Sequence, residues 1–111
     1  MGMHEVSMTI EQFASFVNYN DQAKQLPQYF DQHLALYTLL SELVCPGSKL
    51  IIDFKEDKDG CHYILGLPSS TDSDITYMKG FFKDLTFTLC AHHFKADVRS
   101  IKGKVSMRFL G

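Results

Sequence analysis

Several features that mark specialised proteins are scarce or missing in this chain of 111 residues. Its three cysteines are an odd number at wide spacing, which argues against a disulfide framework and favours free thiols in a reducing compartment. No apolar run approaches the roughly 18 residues that a membrane-spanning helix needs, so a membrane protein is not expected. The first residues carry an acid and lack the basic-then-apolar order of a secretion signal, so we expect a cytoplasmic protein.

Sequence signatures of catalysis are also missing. The chain has no glycine-rich phosphate loop, no nucleophile elbow, no Cys-x-x-Cys pair and no His-Glu-x-x-His. These absences argue against nucleotide hydrolysis, against acyl hydrolysis on the usual fold and against structural zinc. We therefore predict a protein that is not an enzyme and that holds neither a metal ion nor another cofactor.

What the chain does contain is typical of one globular domain. Hydrophobic residues make up 45% and charged residues 22% of the sequence, and 111 residues are enough to bury a core without a disulfide or a metal. Nine phenylalanines and five tyrosines, with no tryptophan, supply the large side chains. No repeat or compositional break divides the chain, so residues 1–111 are predicted to form a single domain.

Three helices are predicted from capping residues and apolar spacing. Thr9 and Gln12 match a capping box, so a first helix begins there. Pro27 suits the first turn of a second helix, which is expected to extend to about Val44. A loop rich in capping side chains precedes a third helix, predicted over about residues 74–94.

Four strands are predicted as two hairpins. Residues 49–55 alternate between apolar and polar, and an acidic turn joins them to a second strand over residues 61–67. Residues 96–100 and 104–110 are predicted to form the second hairpin. The order ααββαββ predicts an α+β fold in which a four-stranded, mainly antiparallel sheet packs against about three helices. If residues 4–8 are also a strand, the alternative is a ferredoxin-like βαββαβ fold.

The third predicted helix carries apolar residues on two opposite sides. One side forms a core stripe at three- and four-residue steps, made of Ile75, Met78, Phe82, Leu85, Leu89 and His93. Phe87, Cys90 and Phe94 form a second stripe on the far side. A single-domain core uses only one side, so the second stripe must be covered by another segment, a second subunit or an apolar ligand.

The leading interpretation is a non-enzymatic regulatory or binding module that acts through protein–protein contacts as a homodimer. Phe87, Cys90 and Phe94 are the predicted partner-facing residues, and a face of the sheet is the other candidate contact. Substitution of Phe87 by aspartate is expected to yield a monomer, and an unchanged dimer would count against this assignment.

The alternative interpretation is a small-molecule sensor or carrier with an apolar pocket between helices and sheet. His33 lies on the apolar side of the second helix, where both ring nitrogens need hydrogen-bond partners. Neighbouring groups more often satisfy such a histidine, although it could also contact a ligand. The predicted lining of the pocket is His33, Tyr37, Tyr63 and Phe82.

The charge is unevenly distributed along the chain. The net charge is −2, yet the segment 95–108 contains five basic residues against one acid. The basic residues are Lys95, Arg99, Lys102, Lys104 and Arg108. Such a segment allows an anionic partner, but it is more often a solvated strand face, so nucleic acid is not the expected partner.

Two further groups of residues carry weaker signals. Cys90, His92 and His93 are zinc-type donors, but adjacent residues of a helix point about 100° apart, so we expect the histidines to lie at the helix C-terminus without a metal. Asp53 and His62 on neighbouring strands could form a carboxylate–imidazole pair for general-base chemistry, and cross-strand charge pairing explains them equally well.

A cysteine nucleophile is disfavoured by strand geometry. Cys61 is adjacent to His62 in the sequence, and consecutive strand residues point to opposite faces of a sheet. The imidazole is therefore not expected to activate the thiol.

Overall fold

The computed structural model describes residues 4–19, 27–58 and 60–110. Its elements in chain order are β1 (His4–Thr9), α1 (Ile10–Tyr19), α2 (Pro27–Leu43), β2 (Ile51–Asp57), β3 (Gly60–Gly66), α3 (Asp72–Ala91), β4 (Ala96–Ile101) and β5 (Lys104–Phe109). The strands form one sheet in the order β1-β2-β3-β5-β4, and every neighbouring pair is antiparallel. Among these residues no helix is both long and apolar enough to cross a bilayer.

The predicted α+β class is confirmed, but the described sheet has five strands instead of the predicted four. The additional strand, β1, is the strand over residues 4–8 that the sequence allowed as an alternative. It packs Val6 and Met8 against the core and passes directly into α1 at Ile10 without a turn. Such a short strand carries little periodic signal. The observed order βααββαββ therefore replaces both the predicted ααββαββ order and the ferredoxin-like alternative.

Local signals at the helix starts are confirmed. The Thr9 backbone N–H donates to Gln12 Oε1 at 2.9 Å, and the Gln12 backbone N–H donates to Thr9 Oγ1 at 3.1 Å, which is the reciprocal capping box. Pro27 is the first residue of α2, as predicted. Thr71 caps α3 by accepting from the Asp74 backbone N–H at 3.2 Å, so this helix begins two residues earlier than expected.

Both predicted hairpins are present, with small shifts at their ends. β2 begins two residues later and β3 one residue earlier than the alternation indicated. The second hairpin turns at Lys102 and Gly103, whose φ angles of 51° and 77° are those of a two-residue type I′ turn. Gly103 adopts this conformation without steric cost because it lacks a Cβ atom.

The core lies between the helices and one face of the sheet. Along β2 and β3 alternate side chains are fully buried, including Ile52, Phe54 and Tyr63. Each such large side chain contributes roughly 1.5–3 kcal/mol through burial. The remaining side chains of these strands point to the opposite face, which the described helices leave open.

The core stripe of α3 differs from the predicted one at two positions. Met78, Leu85 and Leu89 are buried as expected, and Phe81 is buried with them. His93 is exposed because α3 ends at Ala91, two residues before it. The prediction therefore extended the apolar stripe of α3 beyond the end of the helix.

Candidate functional site

The outward side of α3 carries two of the predicted partner-facing residues. Phe87 lies opposite the buried side of the helix and is 76% exposed, and Cys90 is exposed one turn further on. Phe94 lies beyond the end of α3, and its ring packs against Phe109 with a centroid separation of 5.7 Å. The structure thus places Phe94 against β5 and leaves Phe87 and Cys90 together. We call Phe87 and Cys90 the α3 surface.

Both ring nitrogens of His33 are hydrogen-bonded, although the residue is only 1% exposed. Nε2 lies 2.9 Å from Glu56 Oε1, and Nδ1 lies 2.8 Å from Tyr63 Oη. Because a carboxylate oxygen accepts, His33 Nε2–H donates to Glu56, and the Tyr63 hydroxyl donates to Nδ1. Neighbouring side chains therefore satisfy this histidine.

Burial sets the protonation of His33, Tyr63 and Cys61. Burial lowers the pKa of His33 below its usual 6.5, and this effect outweighs the Glu56 carboxylate, whose hydrogen bond and charge raise it. Burial also raises the pKa of the Tyr63 hydroxyl and raises the pKa of the Cys61 thiol to about 12. Near neutral pH His33 therefore carries a neutral imidazole, Tyr63 a phenol and Cys61 a protonated thiol.

The predicted pocket residues lie within the packed core and at its margin. These residues are His33, Tyr37, Tyr63 and Phe82. The rings of Phe16 and Phe54 pack against His33 with centroid separations of 5.5 and 4.8 Å. Tyr37 and Phe82 are partly buried against the same core. The structure thus brings His33 and Tyr63 into contact, and protein side chains fill the space around the imidazole.

The open face of the sheet carries a concavity of about 600 Å³ that the sequence analysis did not identify. Its polar lining includes Asp53, Lys55 and His62. His62 Nε2 lies 2.6 Å from Ser106 Oγ on β5. Burial, together with the positive charges of Arg108 and Lys55, lowers the pKa of His62, so its imidazole is neutral near pH 7. The only sequence signal for this concavity is the alternation that turns residues 53, 55 and 62 away from the core.

The predicted basic segment does not present charge of a single sign. Arg99 Nη2 lies 3.2 Å from Asp97 Oδ2, and Arg108 Nη2 lies 3.5 Å from Asp57 Oδ2. Asp97 comes from the same strand as Arg99, whereas Asp57 comes from β2, which is distant along the chain. These carboxylates reduce the positive potential that an anionic partner would need.

The candidate zinc ligands Cys90, His92 and His93 are not grouped around one point. His92 Nε2 lies 2.9 Å from Glu42 Oε2, so this ring links the end of α3 to α2. His93 has a φ of 62°, which turns the chain out of the helix. In the described ranges no three His, Cys, Asp or Glu side chains are grouped so that they could hold a metal ion.

The structure brings only two of the three candidate catalytic residues to one surface. The register of β2 and β3 pairs Asp53 with Ile64 and Lys55 with His62, so Asp53 is not the direct neighbour of His62. Cys61 is fully buried on the helix side of the sheet, whereas His62 lines the open face. Asp53 and His62 both line the open-face concavity as diagonal neighbours, whereas the Cys61 thiol lies on the other face of the sheet, so the structure does not bring all three groups to one site.

Comparisons with protein-family models, with curated proteins and with solved structures find no match for this chain. Its fold defines it as an α+β protein in which helices pack on one face of an antiparallel sheet. A functional assignment therefore rests on the geometry of its own surfaces.

Proposed function

We propose that this protein is a non-enzymatic binding module of the cytoplasm that acts through protein–protein contacts and works as a homodimer. The observation that carries the proposal is Phe87, which is 76% exposed on the side of α3 opposite the core. Burying such a side chain in a partner contributes roughly 1.5–3 kcal/mol. A projecting aromatic ring is also the kind of side chain that dominates binding when it fills a pocket of a partner protein.

The surroundings of Phe87 support a protein partner. Lys83 and Asp84 lie one turn before it and are exposed, and Cys90 is exposed one turn after it. A single large apolar side chain with charged neighbours resembles the centre and rim of a protein interface. The α3 surface is therefore the proposed contact.

The arrangement of the reactive side chains supports a role without catalysis. The Cys61 thiol has a pKa of about 12 because it is buried, so it carries almost no thiolate at neutral pH. His62 is hydrogen-bonded to Ser106 and not paired with Asp53. The alternative role of a ligand carrier has less support, because rings such as Phe54 already fill the space around His33.

The test compares Phe87→Asp with Tyr19→Asp, which replaces another highly exposed aromatic residue on α1. Proteins that bind the immobilised wild-type chain and the control, but not Phe87→Asp, are identified, purified and titrated against all three chains. Loss of a central aromatic contact is expected to weaken binding by about thirtyfold.

Two readings of this test decide the role of the α3 surface. Equal affinities of a purified partner for the wild-type chain and for Phe87→Asp would contradict the proposal. Light scattering on Phe87→Asp identifies the kind of partner. A monomeric variant would mean that the α3 surface contacts a second copy of the chain. A dimeric variant would mean that the α3 surface contacts a different protein.

A further inference from the structure

β4 is the last strand of the sheet, and among the described residues no strand pairs with its outer edge. Its register with β5 is unbroken over all six residues, so it has no bulge, and it contains no proline. The residues on its core side, Ala96, Val98 and Ser100, carry no charge. Bulges, prolines and inward-pointing charges are three of the means that block strand addition at an edge, and β4 has none of these three.

The tight turn determines which backbone groups of β4 point outward. A two-residue hairpin closes on a hydrogen-bonded pair, here Ile101 and Lys104, and the bonds then alternate along the strand. The Leu110 N–H donates to the Lys95 carbonyl at 2.8 Å, which extends the same alternation. The N–H and C=O groups of the intervening residues 96, 98 and 100 therefore point away from β5, toward the open edge.

We propose that the outer edge of β4 pairs in antiparallel fashion with β4 of a second copy, around a two-fold axis at Val98. The inference rests on the proposed function in one respect, that the protein is a homodimer. The outward backbone groups of each strand then bond to those of the other. The pairing joins the two sheets into one, with the helices of both copies on the same face.

The charges of β4 favour this register over the registers whose axis is shifted by one residue. With the axis at Val98, Asp97 of each copy lies directly opposite Arg99 of the other, on the open face of the sheet. An axis at Asp97 would place two aspartates opposite each other, and an axis at Arg99 would place two arginines opposite each other. Opposite charges in directly facing positions stabilise a strand pair, and like charges destabilise it.

The side chains that this register needs are accessible in the single chain. Arg99 and Asp97 are 69% and 47% exposed, and they bond to each other along the strand at 3.2 Å. In the dimer each can bond to its counterpart across the strands without leaving the open face. The strand pair also leaves Phe87, on the outward side of α3, available to a different protein.

The first experiment measures the dissociation constant of the dimer by light scattering and sedimentation. Arg99→Asp places like charges opposite each other at two sites, and it is expected to weaken the dimer by about tenfold or more. The double variant Asp97→Lys/Arg99→Asp reverses both charges and is expected to restore it. Lys55→Asp changes a charge on β2, away from the edge, and is expected to leave the dimer unchanged. Circular dichroism and melting confirm that each variant is folded.

A second measurement tests the position of the axis through a disulfide. Val98→Cys, in a background with Cys45→Ser and Cys90→Ser, places two thiols across the axis from each other. Hydrogen-bonded partners have Cα atoms about 5.5 Å apart, within the range of a disulfide, so mild oxidation is expected to cross-link the dimer. Ser100→Cys in the same background faces Ala96 of the other copy and is expected to remain uncross-linked.

The outcomes separate this inference from the proposed function. A dimer that Arg99→Asp weakens, that the double variant restores and that Phe87→Asp leaves intact supports pairing through β4. A dimer that Arg99→Asp leaves intact and Phe87→Asp dissociates overturns the pairing and keeps the homodimer, now formed through α3. A wild-type chain that is monomeric at every concentration overturns the pairing and removes the homodimer from the proposed function. The partner test with Phe87→Asp does not depend on this result, because it measures binding to a different protein.

Discussion

At the scale of single residues, His33 shows how a polar group is accommodated among aromatic rings. Its position on the apolar side of α2 was evident from the sequence, and so was its need for two hydrogen-bond partners. The partners themselves, Glu56 and Tyr63, are 23 and 30 residues away along the chain. No local pattern connects residues at such distances, because only the packing of α2 on β2 and β3 brings them together.

The hydrogen bonds of His33 predict the effect of Tyr63→Phe. The change removes the hydroxyl that donates to His33 Nδ1 and leaves this buried nitrogen without a partner. An unsatisfied buried group costs about 1–3 kcal/mol, so the free energy of unfolding in urea is expected to fall by that amount. Tyr77→Phe removes the hydroxyl of a residue that is 44% exposed, and it is expected to change stability by less than about 0.5 kcal/mol. Equal stability of the two variants would show that the buried bond contributes nothing net.

The partner-facing residues illustrate a different limit of residue-level prediction. Helical spacing placed Phe87, Cys90 and Phe94 on one stripe, and the structure keeps the first two on the outward side of α3. Phe94 lies beyond the helix because the chain leaves the helical conformation at His93, and its ring packs on Phe109. Periodicity describes a side chain only for as long as the helix continues.

At the scale of secondary-structure elements, the signals that succeeded are those that act over a few residues. The capping box of α1, the alternation along β2 and the turn between β4 and β5 each involve neighbours in the sequence, so their chemistry is visible before folding. The sequence offered the strand over residues 4–8 only as an alternative, because its identity comes from pairing with β2, and pairing is not a local property.

Two glycines test what the β4–β5 turn and the interior of α3 each require of the backbone. Gly103→Ala places a Cβ at a φ of 77° and within 3.1 Å of the Ile75 side chain, so it is expected to destabilise the protein by about 1–2 kcal/mol. Gly80→Ala lies in the interior of α3 with open space around the new atom, and it is expected to stabilise by up to about 1 kcal/mol. Chemical denaturation of both variants checks the opposite signs. Destabilisation by Gly80→Ala would contradict this account of α3.

At the scale of the whole molecule, the imidazoles of buried His33 and partly buried His62 make stability depend on pH. The pKa values of His33 and His62 are lowered in the folded protein, first by burial, while an unfolded chain titrates near 6.5. Between the folded and unfolded pKa values the unfolded chain binds more protons, so stability is fully present above about pH 6.5 and is lost as the pH falls below it. Protonation also deprives His33 Nδ1 of its ability to accept from Tyr63.

Urea unfolding measured from about pH 7.5 to about pH 5 checks this dependence. His62→Gln is expected to flatten part of the slope of unfolding free energy against pH, because it removes one of the two imidazoles whose pKa is lowered. Stability that stays constant or rises as the pH falls would contradict the inferred protonation states.

The open face of the sheet is likewise a property of the whole molecule. Alternation along the strands predicted that one set of side chains points away from the core, and that face of the sheet was already a candidate contact. The sequence did not show which strands lie side by side on it. The concavity on this face is lined by residues of β1, β2 and β3, which lie side by side with none of the described helices above them. Strand order decides which polar side chains share that surface.

The sequence by itself determined the α+β class, the three described helices, both hairpins and most of the core positions, since caps, turns and periodic burial depend on residues close together in the chain. Only the tertiary structure decided the strand order β1-β2-β3-β5-β4, the partners of His33 and the exposure of the β4 edge. These features depend on which distant segments lie side by side. That arrangement is the outcome of packing the entire core at once, so no short stretch of sequence contains it.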